Sequence, residues 1–284
     1  MKTIVINKQQ EIELNQIFNE LVYSLKNTYS NEDLLKLTGI ILKESGLQTY
    51  NSKKDITVSV LKTTGKYSEK IFTFTKTKFR KYKTNGLRNQ FSEDLEFSKD
   101  FLINSPNKII DTGISLKNKS LAFKNDFLIK SKNEKIELIS VALMSLLIFF
   151  ASAGGEDFEG GIPDSDLNIG IGFHRHILSH SIIIGFLVEF LMRAGIEVIN
   201  KTYKDLPAEH HKFWDNANQY INKHKGTAIG SMWAGICVHL IKDSGILGHG
   251  MKPYNGIPLE LSNATHQGIF AGNGALSGIF AYKK

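Results

Sequence analysis

A 28-residue stretch, GGEDFEGGIPDSDLNIGIGFHRHILSHS, gathers carboxylate and imidazole side chains between two apolar segments of the 284-residue chain. Asp164 and Asp166 come first, and His174, His176 and His180 follow them. Carboxylate oxygens and imidazole nitrogens are the ligands that zinc and similar divalent ions take from proteins. The stretch therefore predicts half of a metal site.

The other half is predicted downstream, in the apolar run MWAGICVHLIKDSGIL. His239 and Asp243 are four residues apart, so on a helix both side chains share one face and can bind the same ion. Asp-x-Asp, His…His and His-x-x-x-Asp together form a complete ligand set. We expect a divalent cation there, zinc first by ligand type, with manganese and magnesium as alternatives.

Metal-assisted hydrolysis is the chemistry that this ligand set predicts, with a phosphoester as the substrate. Arg175 adjoins the ligands and is suited to bind a phosphate oxygen. His249, in the flexible segment Gly-His-Gly, is predicted to act as a ligand or a proton donor. The hydroxyls of Ser179 and Ser181 are predicted to orient the imidazoles.

Three apolar runs must position these residues: 136–153, 181–192 and 226–241. They predict the buried helices of a helical bundle, which makes residues 133–284 a mainly α metal-dependent hydrolase domain. The first run has 18 residues, including Glu137, and a bilayer-spanning helix needs about 20. Helices embedded in a membrane, or lying on it, are therefore the alternative interpretation.

Residues 1–132 are predicted to form a smaller, basic α+β domain. Apolar residues at helical spacing predict one helix from Glu11 to Tyr29 and a second from Ser30 to Gly46, where the glycine would end it. Alternating apolar residues predict a hairpin over 56–74, and strand-like runs follow at 109–116 and 121–129. The hydrophilic segment SKNEK marks the boundary.

The net charge of +7 comes entirely from the first half of the chain. Through Lys135 there are 24 Lys and Arg against 15 Asp and Glu, and the remainder has 11 against 13. The densest segment, Lys76 to Arg88, interleaves Phe79 and Tyr82 with six cations. It predicts a partner that carries phosphates, either an anionic phospholipid membrane or nucleic acid, although an ordinary solvated hairpin has the same pattern.

The single cysteine, Cys237, lies in an apolar run. It excludes an internal disulfide framework and a cysteine-rich zinc site, and it fits a reducing compartment. Residues 1–29 lack the pattern of a signal peptide. We expect a cytoplasmic protein, either peripheral to the inner membrane or embedded in it.

Taken together, the motifs resemble those of the bacterial LexA-regulated, membrane-bound metal-dependent hydrolase family, which is related to the zinc-dependent phospholipase C and fungal single-strand nuclease superfamily. That family has Pro-Asp-x-Asp, His-Arg-Gly-x-Thr-His-Ser and His-x-x-x-Asp in this order between apolar helices, which corresponds here to residues 136–253. The resemblance implies a helical metallohydrolase domain with five ligands: Asp164, Asp166, His180, His239 and Asp243.

The first histidine of the middle motif departs from the family pattern. The family places its two histidines five residues apart, whereas His174 and His180 are six apart. His176 is four residues before His180, so on a helix it would share the same face. Both His174 and His176 are therefore candidate ligands.

A function of another class fits the same sequence. The C-terminal domain would then be a non-catalytic, metal-stabilised module, and the basic first domain would be a sensor or adaptor that binds nucleic acid or lipid. Such a protein binds metal without turnover and loses stability on chelation. An added domain on a hydrolase core would instead suit a regulated effector.

Overall fold

The structure is a computed structural model, and it describes residues 7–27, 30, 32–56, 58, 118–168, 170, 174–245, 253–255 and 260–282. These residues are mainly helical, as predicted for the C-terminal part. Seven α-helices and one short 3-10 helix account for most of them: α1 Lys8–Asn27, α2 32–56, α3 118–129, α4 Lys132–Ala153, the 3-10 helix Pro163–Asn168, α5 Ile182–Lys204, α6 Lys212–Asp243 and α7 Asn263–Tyr282.

The chain divides into two compact units. Residues 1–56 and 141–284 form the first unit, and residues 57–140 form the second. The first two helices therefore belong to the same unit as the C-terminal helices. The boundary predicted from the sequence, between residues 132 and 133, lies at the first residue of α4 and differs from this division.

The two N-terminal helices are present, but the predicted end of the second is wrong. Ser30 and Asp33 form the expected capping box, since each side chain accepts a hydrogen bond from the other residue's amide. The helix then continues through Gly46 to residue 56. Its last turns bury Thr49 and Lys53 in the core of the unit, and this packing outweighs the low helix propensity of glycine.

The predicted strand at 121–129 is a helix, α3. Phe123 and Phe127 stack with ring centroids 6.4 Å apart, and Lys130 pairs with Asp126 at 2.8 Å. Both pairs have the four-residue spacing of one helical face, which the apolar pattern alone does not reveal. No strand occurs in the described part of the chain, so the α+β character of the first domain is not supported. The predicted run at 109–116 and most of the hairpin at 56–74 lie outside that part.

The core of the first unit is built where α5, α6 and α7 pack together. Trp233 of α6 is fully buried and makes edge contacts with Phe186 of α5 and Phe280 of α7. Gly185 of α5 lies directly against this indole, so that a Cβ atom there would overlap the ring. Gly185 thus leaves the space that the Trp233 ring occupies.

Alanine at Gly185 should destabilise the protein by about 1–3 kcal/mol, because the added methyl group overpacks against Trp233. Gly195→Ala is the matched control: it lies on the same helix and its Cβ would meet nothing within 4 Å. That change should be neutral or stabilising by up to about 1 kcal/mol. Urea unfolding of both variants measures the difference, and equal effects would contradict this packing.

One helix among the described residues, α4, is long and apolar enough to cross a membrane. Its most apolar 18-residue window has a mean hydropathy of 2.2, and 11% of that window is buried. Leu143, Leu146 and Leu147 are each more than half exposed. Membrane association stays a prediction from the length and composition of α4.

Candidate metal centre

Four segments of the first unit converge on one polar cluster. They are the end of α4, the 3-10 helix, the turn before α5 and the last turn of α6. We call the five side chains that meet there the Asp/His cluster: Asp164, His174, His180, His239 and Asp243. Their candidate ligand atoms form two groups that share His180, and within each group all ligand atoms lie within 4.8 Å of one another.

The last turn of α6 supplies His239 and Asp243, as the four-residue spacing predicted. Both are buried, and His239 Nε2 lies 3.5 Å from Asp243 Oδ2. His239 Nδ1 is 3.0 Å from the carbonyl oxygen of Ala153. Because a carbonyl only accepts, Nδ1 carries the proton, and Nε2 of the neutral ring is left as a potential ligand.

His239 Nε2 is the most informative atom of the cluster. It is buried and has no hydrogen-bond partner among the residues that the structure describes. Burial lowers the His239 pKa, but the carboxylates of Asp243 and Asp164 outweigh burial and raise it overall. The carboxylates thus favour a positive charge at this position, as a bound cation would provide.

Asp164 faces the imidazoles with one oxygen. Its Oδ1 lies 3.0 Å from His180 Nε2, 3.4 Å from His174 Nδ1 and 3.8 Å from His239 Nε2. Its Oδ2 accepts a hydrogen bond from the Gly160 amide at 2.6 Å. Burial alone raises the Asp164 pKa, but the neighbouring imidazoles of His180 and His239 outweigh burial and lower it to about 2.

Four separations among Asp164, His180, His239 and Asp243 match the spacing of ligands around one ion. A tetrahedron with metal–ligand bonds of about 2.0 Å has edges of about 3.3 Å. Asp243 Oδ2 lies 3.6 Å from His180 Nε2 and 3.5 Å from His239 Nε2. Asp164 Oδ1 lies 3.0 Å and 3.8 Å from the same two nitrogens. Two imidazole nitrogens and two carboxylate oxygens are also a donor set that zinc accepts. The residues present therefore fit a divalent cation.

A relay of side chains orients His180. The Ser179 hydroxyl lies 2.5 Å from Asp166 Oδ2, 2.8 Å from the His176 carbonyl oxygen and 3.0 Å from His180 Nδ1. Asp166 and the carbonyl only accept, so the single hydroxyl proton goes to one of them and Ser179 must accept from His180 Nδ1. His180 therefore also directs Nε2 toward the Asp/His cluster.

Asp166 lies behind the cluster and holds the turn before α5. Its Oδ2 accepts from the Ser179 hydroxyl and from the His176 amide, the latter at 3.2 Å. Its Oδ1 is 3.4 Å from His174 Nδ1. In these contacts Asp166 orients other residues of the cluster, while its predicted role as a ligand stays a prediction.

His174 and His176 occupy different surroundings. The His174 ring lies edge-on to His180, with centroids 5.7 Å apart, at the rim of the cluster. His176 Nδ1 instead accepts a hydrogen bond from the Leu178 amide at 3.3 Å, and its backbone forms a parallel bridge with Asn255. Of the two candidates, His174 is the one that the structure brings to Asp164 and His180.

Arg175 borders the cluster through an unusual backbone conformation. Its φ angle is +62°, in the left-handed region that few residues other than glycine adopt. Its carbonyl accepts from the Asn255 amide at 3.0 Å, and its Nε lies 3.7 Å from Asp243 Oδ2. Nε is buried and has no hydrogen-bond partner in the described part of the chain. The guanidinium is thus held beside the candidate ligands.

Other predicted residues have different outcomes. His249 lies outside the described residues. Ser181 caps α5, because its hydroxyl accepts from the Ile183 amide, and within the described residues it forms no hydrogen bond with an imidazole. Sequence reasoning missed the Ala153 carbonyl and the Gly160 amide, although the glycine-dense run GGEDFEGG marks a backbone turn at this place.

No protein-family model matches the chain, and no curated protein or solved structure is significantly similar to it. The family resemblance therefore stays a prediction based on three short motifs. We infer the metal centre from the geometry of the Asp/His cluster.

Proposed function

We propose that the protein is a metal-dependent hydrolase that acts on a phosphoester. The ion would be held by Asp164, His180, His239 and Asp243, with His174 at the rim. The single observation that carries this proposal is the meeting of these four side chains around His180, with His239 Nε2 buried and without a hydrogen-bond partner in the described part of the chain. We also propose that residues 136–253 belong to the LexA-regulated metal-dependent hydrolase family.

The residues behind the ligands support a prearranged site. The Ala153 carbonyl fixes one imidazole and the Ser179–Asp166 pair fixes the other, so that both direct Nε2 to the same point. Gly160 holds the Asp164 carboxylate from the opposite side. Such outer partners keep ligands in the geometry and protonation state that a metal needs.

A divalent ion bound here, zinc first, would supply Lewis-acid activation of water. Arg175 would bind a phosphate oxygen of the substrate, since its guanidinium borders the cluster and its Nε lacks a hydrogen-bond partner among the described residues. The ester would belong to an anionic phospholipid or to nucleic acid, the two partners that the charge of the chain favours.

A metal-stabilised binding module is the second candidate function, and a specific observation favours it. His180 and His239 are 0% and 1% exposed, which is typical of closed structural metal sites. The partial exposure of His174 and Arg175 at the rim favours the hydrolase, because a substrate must reach the metal from the solvent. The two functions differ in whether bound metal is accompanied by turnover.

Hydrolysis assays with a defined metal content test the proposal. The purified protein, stripped and reloaded with zinc, manganese or magnesium, is given bis(p-nitrophenyl) phosphate, anionic phospholipid vesicles and single-stranded DNA. We expect cleavage of at least one of them, lost with a chelator and restored by metal. Metal binding without cleavage of any would instead establish the binding module.

A further inference from the structure

We propose that Lys242 is a positioning residue of the metal centre, which it supports by clamping the loop that holds Asp164. The proposal deepens the proposed function and rests on it. Lys242 lies in the last turn of α6, next to the ligand Asp243, and 8% of the residue's surface is exposed. A lysine so deeply buried requires partners for its ammonium group.

The partners of Lys242 lie in the loop after α4. Its Nζ donates to the carbonyl oxygen of Asp157 at 2.5 Å and to Glu159 Oε1 at 2.8 Å. The Glu159 side chain is 49% exposed, whereas that of Lys242 is 9% exposed. The Lys242 side chain is therefore fixed on α6, and it extends toward the surface to hold the loop.

The clamped segment leads directly to a ligand. Gly160 follows Glu159, and its amide donates to Asp164 Oδ2 at 2.6 Å. This hydrogen bond leaves Oδ1 of the same carboxylate facing His180 and His239. Any displacement of residues 157–159 would move the Gly160 amide and thereby the carboxylate.

Two side chains of α6, three residues apart, hold both ends of this loop. His239 donates to the Ala153 carbonyl at its beginning, and Lys242 holds Asp157 and Glu159 near its end. Between these points the backbone is closely folded. A Cβ atom at Gly154 would overlap the Glu159 carbonyl, and one at Gly161 would lie 2.5 Å from the Gly154 nitrogen. The loop is thus closely folded and is attached to α6 at both ends.

Electrostatics and positioning make opposite predictions for Lys242. An ammonium on the residue next to Asp243 repels a second cation, so its removal should tighten metal binding if charge alone mattered. If Lys242 positions Asp164 through the loop, its removal should weaken binding, and loss of an outer partner typically costs 10–100-fold in metal affinity. The sign of the change separates the two roles.

The test compares zinc dissociation constants, measured by chelator competition, for the wild type, Lys242→Met and Lys225→Met. Lys225 is exposed on the same helix, so its variant makes the same change of charge away from the loop. We expect binding about 10–100-fold weaker in Lys242→Met and unchanged in Lys225→Met. Lys242→Arg should recover much of the affinity, because it can still donate to Glu159 and Asp157.

The outcomes distinguish failure of the proposed function from failure of the role of Lys242. A wild type that binds none of zinc, manganese and magnesium in the same assay would overturn the proposed function itself. A wild type that binds zinc, with equal or tighter binding in Lys242→Met, would overturn the role of Lys242 and leave the metal centre standing. If Lys242→Met does not fold, Glu159→Ala is tested in its place. It removes one of the two acceptors of Lys242 by changing a residue at the surface. Weaker zinc binding in that variant would support the clamp, and unchanged binding would contradict it.

Discussion

Alanine at His180 should reduce metal-dependent phosphodiester hydrolysis by at least about 10³-fold while the helices remain folded. His180 belongs to both groups of candidate ligands, and its Nε2 lies closest of the imidazole nitrogens to Asp164 Oδ1. Asp243→Ala should have the same effect, because it removes the carboxylate that faces His180 and His239. Initial rates at saturating metal, with circular dichroism as the folding check, measure both changes.

The controls for this prediction are other histidines. His224→Ala changes a residue of α6 whose ring packs on Tyr220, and it should leave the rate unchanged. His174→Ala should lower the rate far more than His176→Ala, since only His174 lies near Asp164 and His180. Full activity in His180→Ala or in Asp243→Ala would remove the proposed mechanism.

Alanine at Glu189 should destabilise the fold by about 3–5 kcal/mol, the cost of leaving buried charges without their partner. Glu189 is fully buried, and its carboxylate accepts from Trp233 Nε1 at 2.6 Å and from Arg193 at 2.7 Å. Lys53, 3% exposed, places its Nζ 3.3 Å from the same carboxylate. The network joins α2, α5 and α6, so its loss should loosen the whole first unit.

The pH dependence of this network has a defined sign. Burial raises the Glu189 pKa, but the Trp233 hydrogen bond and the Lys53 and Arg193 contacts outweigh it and lower the pKa overall. A carboxyl whose folded pKa is depressed stabilises the fold above its unfolded pKa, and this stability is lost as the pH falls through the folded pKa. The free energy of unfolding of the wild type, measured with urea, should therefore decrease as the pH falls below the ordinary pKa of glutamate. In Glu189→Ala the decrease over the same pH range should be smaller.

A surface pair provides the comparison. Glu32→Ala breaks the exposed ion pair with Lys36, so it should change stability by no more than about 0.5 kcal/mol. The double change Lys53→Met and Glu189→Leu removes both charges, and it should recover much of the stability that Glu189→Ala loses. A loss in Glu189→Ala as small as that in Glu32→Ala would contradict the importance of the network.

Ligands with fixed spacing on a regular element are the part of the site that sequence reasoning predicts well. His239 and Asp243 share a helical face by arithmetic alone, and the structure places both in the cluster. The outer partners escape such reasoning, because Ala153 and Gly160 act through backbone atoms that any residue possesses. Lys242 was missed since its acceptors lie more than 80 residues away in the chain.

The helices that the sequence predicts correctly can likewise be separated from those that it does not. The long apolar runs predict the C-terminal helices, because burial along a helix leaves a strong pattern. The errors at α3 and at Gly46 arise where local preference is weak and contacts between helices decide the outcome. Glu189 interrupts the apolar run SIIIGFLVEFLM. Its role in the buried network depends on Lys53 of α2 and Trp233 of α6, which are distant from it in the sequence.

Elemental analysis by inductively coupled plasma mass spectrometry tests the central claim most directly. It is applied to the wild type and to the His180→Ala/His239→Ala double variant, each purified without chelator and after reconstitution with zinc or manganese. We predict at least one equivalent of metal in the wild type and none in the variant. A wild type without metal after every reconstitution would contradict the metal centre, and the Asp/His cluster would then be a structural polar network.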